Sequence, residues 1–125
     1  QFFINSMGPL RVVYAALPYL QSGSKVMLIT SRMGSISDNS SGSRYGYRMS
    51  KAALNAAGKS LAIDLADRGI VVGILHPGWV KTEMTGLTGH LEAHEAATNL
   101  LARIDEYNID NSGQFLHSNG DVLGW

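Results

Sequence analysis

Apolar side chains recur at spacings of three and four along residues 2–20, at Phe3, Met7, Leu10, Tyr14 and Leu17. That period predicts a helix with one apolar stripe, ended by Gln21-Ser22-Gly23-Ser24. Residues 25–30 are short and nearly all apolar (Val26, Met27, Leu28, Ile29), which predicts a strand covered on both faces. Residues 31–43 are rich in Ser, Gly, Asn and Asp and read as loop. Residues 44–68 predict the longest helix, with Ala52, Ala53, Ala56, Ala57, Leu61 and Leu65 as its packing face. Arg68-Gly69 closes it with a cation and then a glycine.

Residues 70–75 predict a second buried strand, broken by His76-Pro77-Gly78. A loop over 83–91 follows, then a third helix over 92–107 with Ala96, Leu100, Leu101 and Ile104 facing inward. Residues 114–117 predict a last short strand, and Leu123-Gly124-Trp125 a packed tail. Helix and strand alternate throughout, which argues for an α/β fold with a parallel sheet, right-handed crossovers and helices on both faces. Ligands bind such sheets at the carboxyl ends of the strands. Two of those ends carry chemistry: Thr30-Ser31 and His76-Pro77-Gly78.

Composition narrows the function classes. Ten Lys plus Arg balance ten Asp plus Glu, so charge gives no case for nucleic acid or an anionic membrane as partner. The absence of cysteine excludes disulfides, thiolate nucleophiles and cysteine zinc sites, and is compatible with a cytoplasmic location. No apolar run approaches the roughly 20 residues of a membrane helix. His90 and His94 stand four apart but lack an evident third ligand, so a solvated helix start is expected there rather than a metal site. The chain opens at Gln1 on Phe2, Phe3 and Ile4. That reads as the inside of a buried element and raises the expectation of a fragment.

Tyr47 and Lys51 are four apart at the start of the long helix and share a face. A phenol with an ordinary pKa of about 10 is a poor acid-base group near neutrality, and a nearby ammonium favours its phenolate. Such a pair can protonate a forming alkoxide or deprotonate an alcohol. In the first helix, Pro9 has no N–H, so the carbonyl of Asn5 loses its intrahelical donor and can hold a water where the helix kinks.

The segment Tyr47-Arg48-Met49-Ser50-Lys51-Ala52-Ala53-Leu54 resembles the Tyr-x-x-x-Lys segment of the short-chain dehydrogenase/reductase family. With Thr30-Ser31-Arg32-Met33-Gly34-Ser35-Ile36 upstream, it is most similar to the C-factor-like and sniffer-like carbonyl reductase branch. The resemblance implies the C-terminal half of a Rossmann-type doubly wound parallel sheet. Residues 1–125 would be the catalytic part of an NAD(P)-binding domain. No Gly-rich dinucleotide turn occurs in the chain.

By that resemblance Tyr47, Lys51, Ser31 and Asn5 form a catalytic tetrad. Ser31 holds the substrate oxygen, although Ser35 stands nearer the commonest family spacing from Tyr47 and remains the alternative. Asn5 holds a water that links Lys51 to solvent. Pro77-Gly78-Trp79-Val80-Lys81-Thr82 resembles the family's Pro-Gly-x-Val-x-Thr segment. It implies that Pro77, Gly78, Val80 and Thr82, with Tyr47 and Lys51, hold NADP or NAD, NADPH being slightly favoured. Trp79, Met84 and Leu87 are candidates for apolar substrate contacts. The implied reaction interconverts a small-molecule carbonyl and an alcohol. A homo-oligomer through helices 2–20 and 44–68 is implied by analogy, and a non-catalytic signalling or interaction chain is the competing reading.

Overall fold

The computed structural model describes residues 2–80 and 89–125. Three strands, β1 (Lys25–Ile29), β2 (Val71–His76) and β3 (Phe115–His117), form one parallel sheet in the order β1-β2-β3. The expected alternation is met, with strand limits within one residue of those read from the sequence. Ile29 pairs with Leu75 and Ile74 with Phe115, so the three carboxyl ends lie side by side.

β2 is the central strand, and its burial is nearly complete: Val72, Ile74 and Leu75 have no exposed surface. Alternate residues serve opposite faces. Val72 joins Val13, Leu28, Leu54, Ala62, Leu65 and Ile70 beneath the first two helices. Val71 and Leu75 join Tyr107 and Leu116 on the other face, with Met27, Leu100 and Ile104 packed against them. Burial of each large aliphatic side chain contributes about 1.5–3 kcal/mol. β1 departs from expectation, because Lys25 and Ile29 are exposed and only Leu28 is fully buried. It is an edge strand among the described residues.

The first helix is not uniform. A π-helical turn, Phe3–Met7, leads into α1 (Gly8–Ala16), and a 3₁₀ turn, Leu17–Tyr19, follows. The expected stripe is also corrected. Phe3, Met7 and Tyr14 are exposed, and the residues that go inward are Ser6 and Val13. Phe2 and Ile4 are exposed too, against the reading of a buried element. The helix packs by a narrower face, and its widest apolar side chains stand outside.

The long helix is α2 (Tyr45–Leu65), continued by a 3₁₀ turn, Ala66–Arg68. Its buried face is Ser50, Leu54, Asn55, Gly58, Ala62 and Leu65. Ala52, Ala53 and Ala57 are only half-buried and Ala56 is exposed, so the alanine face is a flank of the contact. The closing cation acts at a distance: the Arg68 guanidinium donates to the carbonyls of Leu17 and Leu20 (3.0 and 3.1 Å), capping the end of the first helix. α3 (Ala93–Glu106) buries Ala96, while Leu101 stays exposed against expectation. The tail is packed as expected, the Trp125 ring stacking on Phe115 at 5.4 Å between centroids.

Candidate active site at the carboxyl edge of the sheet

The π-helical turn has a direct cause in the sequence. Pro9 cannot donate to the carbonyl of Asn5, and the Gly8 N–H bonds instead to Phe3 O, five residues back. The helix widens at Asn5 rather than simply bending. The side chain of Asn5 then crosses to α2, where its amide donates to Ser50 Oγ at 3.1 Å. Ser50 is fully buried and donates in turn to the carbonyl of Tyr47 at 2.7 Å. Asn5, Ser50 and Tyr47 are therefore one connected set.

Tyr47 and Lys51 lie on one face as their spacing predicted, with Lys51 Nζ 5.8 Å from the Tyr47 ring centroid. The ammonium reaches the end of β1 and donates to Ile29 O at 3.2 Å. No carboxylate pairs with it among the described residues. Burial pulls its pKa below the ordinary lysine value, since desolvation disfavours the charged form. Thr30 closes the same junction, its hydroxyl donating to Asn55 Oδ1 at 2.6 Å.

Ser31 follows at once. Its Oγ accepts the Met33 N–H at 3.1 Å and caps a short 3₁₀ turn, Arg32–Gly34. That bond uses an acceptor site only, and the hydroxyl hydrogen of Ser31 has no acceptor among the described residues. Ser35 differs. It is buried, not out in the loop as the sequence suggested, and its hydroxyl donates to Gly124 O at 2.6 Å while accepting the Asp38 N–H at 3.2 Å. Ser35 is occupied in tying the tail to the loop.

The turn lies hard against α2 because of Gly34. A Cβ there would stand 2.8 Å from the Lys51 carbonyl carbon and 2.9 Å from its oxygen. Only a residue without a side chain permits that approach, which brings the Ser31 turn onto the helix at Lys51.

On the neighbouring strand end, Pro77 and Gly78 turn the chain out of the sheet, Gly78 with φ of +90°. Ser118 fixes the turn from β3, donating to Pro77 O at 3.1 Å. Val80 forms a parallel bridge with Leu91. Trp79 is half-exposed and meets the His90 ring edge-on at 4.8 Å. A shallow cavity of about 240 Å³ opens here among Gly78, Trp79, His90, Leu91, His117 and Asn119. Thr82, Met84 and Leu87, and Lys81 with them, lie outside the described residues.

Two further residues stand out: Ser50, to which the sequence had given no role, and His76, which it had placed only at a chemically loaded strand end. Ser50 is the link between Asn5 and Tyr47; its position inside Tyr-Arg-Met-Ser-Lys, one turn after Tyr47, was the available signal. His76 Nδ1 accepts the Arg32 N–H at 3.1 Å and so touches the Ser31 turn. Its pKa is pushed down to about 4, first by burial, then by His117 and Arg32, against an opposing effect of Asp38.

The donor set suits a nicotinamide and its ribose. An ammonium without a carboxylate among the described residues, a serine hydroxyl with its hydrogen uncommitted and a phenol are groups that could bind hydroxyl and carbonyl oxygens. Among the described residues no group of three or more His, Asp or Glu side chains could hold a metal ion.

Comparison with known proteins agrees with this fold. Residues 1–121 match the family described as enoyl-(acyl carrier protein) reductase. The chain is 46% identical over 126 residues to the C-signal protein of Myxococcus xanthus, covering 99% of this chain and 76% of that protein. The carbonyl reductase Sniffer of D. melanogaster superposes with a TM-score of 0.93 at 33% identity, over 99% of this chain and 55% of that one. An NADPH-bound carbonyl reductase from chicken fatty liver gives 0.92 at 32% identity, with the same coverage of 99% and 55%. The chain thus spans little more than half the length of these solved reductases.

Proposed function

The chain belongs to the short-chain dehydrogenase/reductase family, and from that premise we propose that it carries the proton-transfer half of an NAD(P)(H)-dependent carbonyl–alcohol oxidoreductase. The observation that carries this reading is the continuous set Asn5, Ser50, Tyr47 and Lys51, set against Ser31 at the strand end.

A nicotinamide held beside Tyr47 and Lys51 would supply or accept the hydride. Tyr47 Oη gives its proton to the carbonyl oxygen in reduction and takes the alcohol proton in oxidation. Lys51 sets a positive charge beside the phenol and holds the ribose hydroxyls. Ser31 donates its free hydrogen to the substrate oxygen, where negative charge develops. Asn5, at the widened turn, leads water toward Lys51. Pro77, Gly78, Val80 and Thr82 hold the carboxamide side of the cofactor. NADPH is the preferred carrier, a choice supported by the NADPH-bound chicken relative. Residues 1–125 serve as the catalytic part of a longer nucleotide-binding domain.

Self-association through helices 2–20 and 44–68 belongs to the same reading. Phe3, Ile4, Val12 and Tyr14 on the first helix and Met49 and Ile63 on α2 are exposed. Apolar side chains grouped in this way favour a covered face. For location, no helix among the described residues is long and apolar enough to cross a membrane, and a cytoplasmic site remains the simplest fit to the cysteine-free chain.

One observation favours a second reading. The relative covered over 76% of its length is a C-signal protein, which supports a signalling chain that keeps the fold without turnover. A screen of the full-length protein with NADPH and NADH against aldehydes, ketones and alcohols separates the two. Turnover with either cofactor supports the oxidoreductase; no turnover and no cofactor binding by calorimetry favours the signalling chain.

A further inference from the structure

The parallel ladder between β1 and β2 makes its last bond from Thr30 N–H to Leu75 O at 2.8 Å. Pro77 ends it for two reasons. It has no N–H to give to the Thr30 carbonyl, and its own carbonyl is taken by the Ser118 hydroxyl at 3.1 Å. In a continued parallel ladder, the Arg32 N–H would bond to Pro77 O, two residues further along each strand. That N–H goes instead to His76 Nδ1 at 3.1 Å.

The other amides of the turn are accounted for within it. Met33 N–H bonds to Ser31 Oγ at 3.1 Å and Gly34 N–H to Ser31 O at 2.9 Å. Arg32 N–H is the one donor of the three that is satisfied from outside the turn. The imidazole that accepts it is itself well held. The Ser118 N–H donates to His76 O at 2.8 Å, and the His117 ring meets the His76 ring edge-on at 5.0 Å.

We propose that His76 is a positioning residue for Ser31: its Nδ1 stands in for the missing ladder carbonyl and fixes the turn that presents the Ser31 hydroxyl to substrate. The inference rests on the reading of Ser31 and Tyr47 as the reacting pair. An Nδ1 that accepts places the neutral ring's hydrogen on Nε2. The atom that matters is one bond from the ring's attachment carbon, and this gives the inference its test.

Asn at position 76 offers an acceptor oxygen near the place of Nδ1; Gln offers one nearer Nε2. His76→Asn, His76→Gln and His76→Ala are compared in the full-length protein, with NADPH oxidation measured on a carbonyl probe that the wild type reduces. Hydrogen exchange of the Arg32 amide is followed in parallel. Since small displacements of a reacting group can cost about 100-fold in rate, His76→Ala and His76→Gln are expected to lose about 10-fold or more in kcat with little change in KM. Their Arg32 amides should exchange faster, while His76→Asn keeps kcat within about threefold and keeps the protection. If His76→Ala does not fold, the Asn and Gln variants still decide. Equal kcat and equal Arg32 protection in those two overturn the inference. Tyr47→Phe, assayed beside them, isolates the premise: full turnover in that variant removes Tyr47 as the proton donor, and no turnover in the wild type removes the oxidoreductase reading itself, whatever the His76 series shows.

Discussion

Asn5 and Ser50 are 45 residues apart in the chain, and the Asn5 amide donates to Ser50 Oγ at 3.1 Å. That bond joins the widened turn of the first helix to the turn of α2 that carries Tyr47. It is buried on the Ser50 side and continues into the Tyr47 carbonyl.

Ser50→Ala removes an acceptor from Asn5 and a donor from Tyr47 O. Leaving such partners unsatisfied costs about 1–3 kcal/mol. We expect a thermal or urea midpoint lowered to that extent and a fall in kcat, because Tyr47 loses its tie to Asn5. A Ser50→Ala protein with unchanged midpoint and unchanged kcat would show that the link is idle. Ser50→Thr, which keeps the hydroxyl, is the control on chemistry rather than volume.

Gly34→Ala tests the close approach of the Ser31 turn to α2. The added methyl meets Lys51 backbone atoms at 2.8 and 2.9 Å, and backbone cannot rotate away as a side chain end would. Overpacking of this kind costs about 1–3 kcal/mol. We expect loss of stability together with a drop in kcat, as the turn is pushed off the helix. Wild-type values for both in a melting curve and a rate assay would contradict the packing described.

His76 couples stability to pH. Its ordinary pKa of 6.5 is pushed down to about 4 in the folded chain. Between those values the unfolded chain binds more protons than the folded one, so stability rises with pH across the window. The contribution is fully present above about pH 6.5 and is lost as pH falls toward about 4. The groups that face the ring are His117, Arg32 and Asp38, and the lowered pKa of His117 acts in the same direction. Denaturant midpoints at neutral pH and at about pH 4.5 should fall further apart in the wild type than in His76→Asn. An equal drop in both would show that His76 carries none of the effect.

The legible parts of the sequence were those set by local period and by punctuation. The alternation of helices and strands, the break at Pro77-Gly78 and the shared face of Tyr47 and Lys51 all follow from short-range geometry. Pro9 even marked the place where the helix departs from its regular form, though it widens into a π turn rather than only kinking. What the chain did not announce was which face is covered. Ala56 sits at helical spacing and is exposed, while polar Ser50 and Asn55 are buried, because their bonds to Asn5 and Thr30 come from distant segments. Ser35 shows the same limit. Its burial depends on Gly124, 89 residues away, and no local pattern encodes that contact.

Tyr47→Phe in the full-length protein is the most direct measurement, since it removes one hydroxyl and keeps the ring packed near Lys51. With NADPH and a carbonyl probe, kcat should fall by about 100-fold or more, the range lost with a positioned proton donor, while NADPH binding by calorimetry persists. A Tyr47→Phe protein that reduces the probe at the wild-type rate would contradict the assignment of Tyr47 as proton donor.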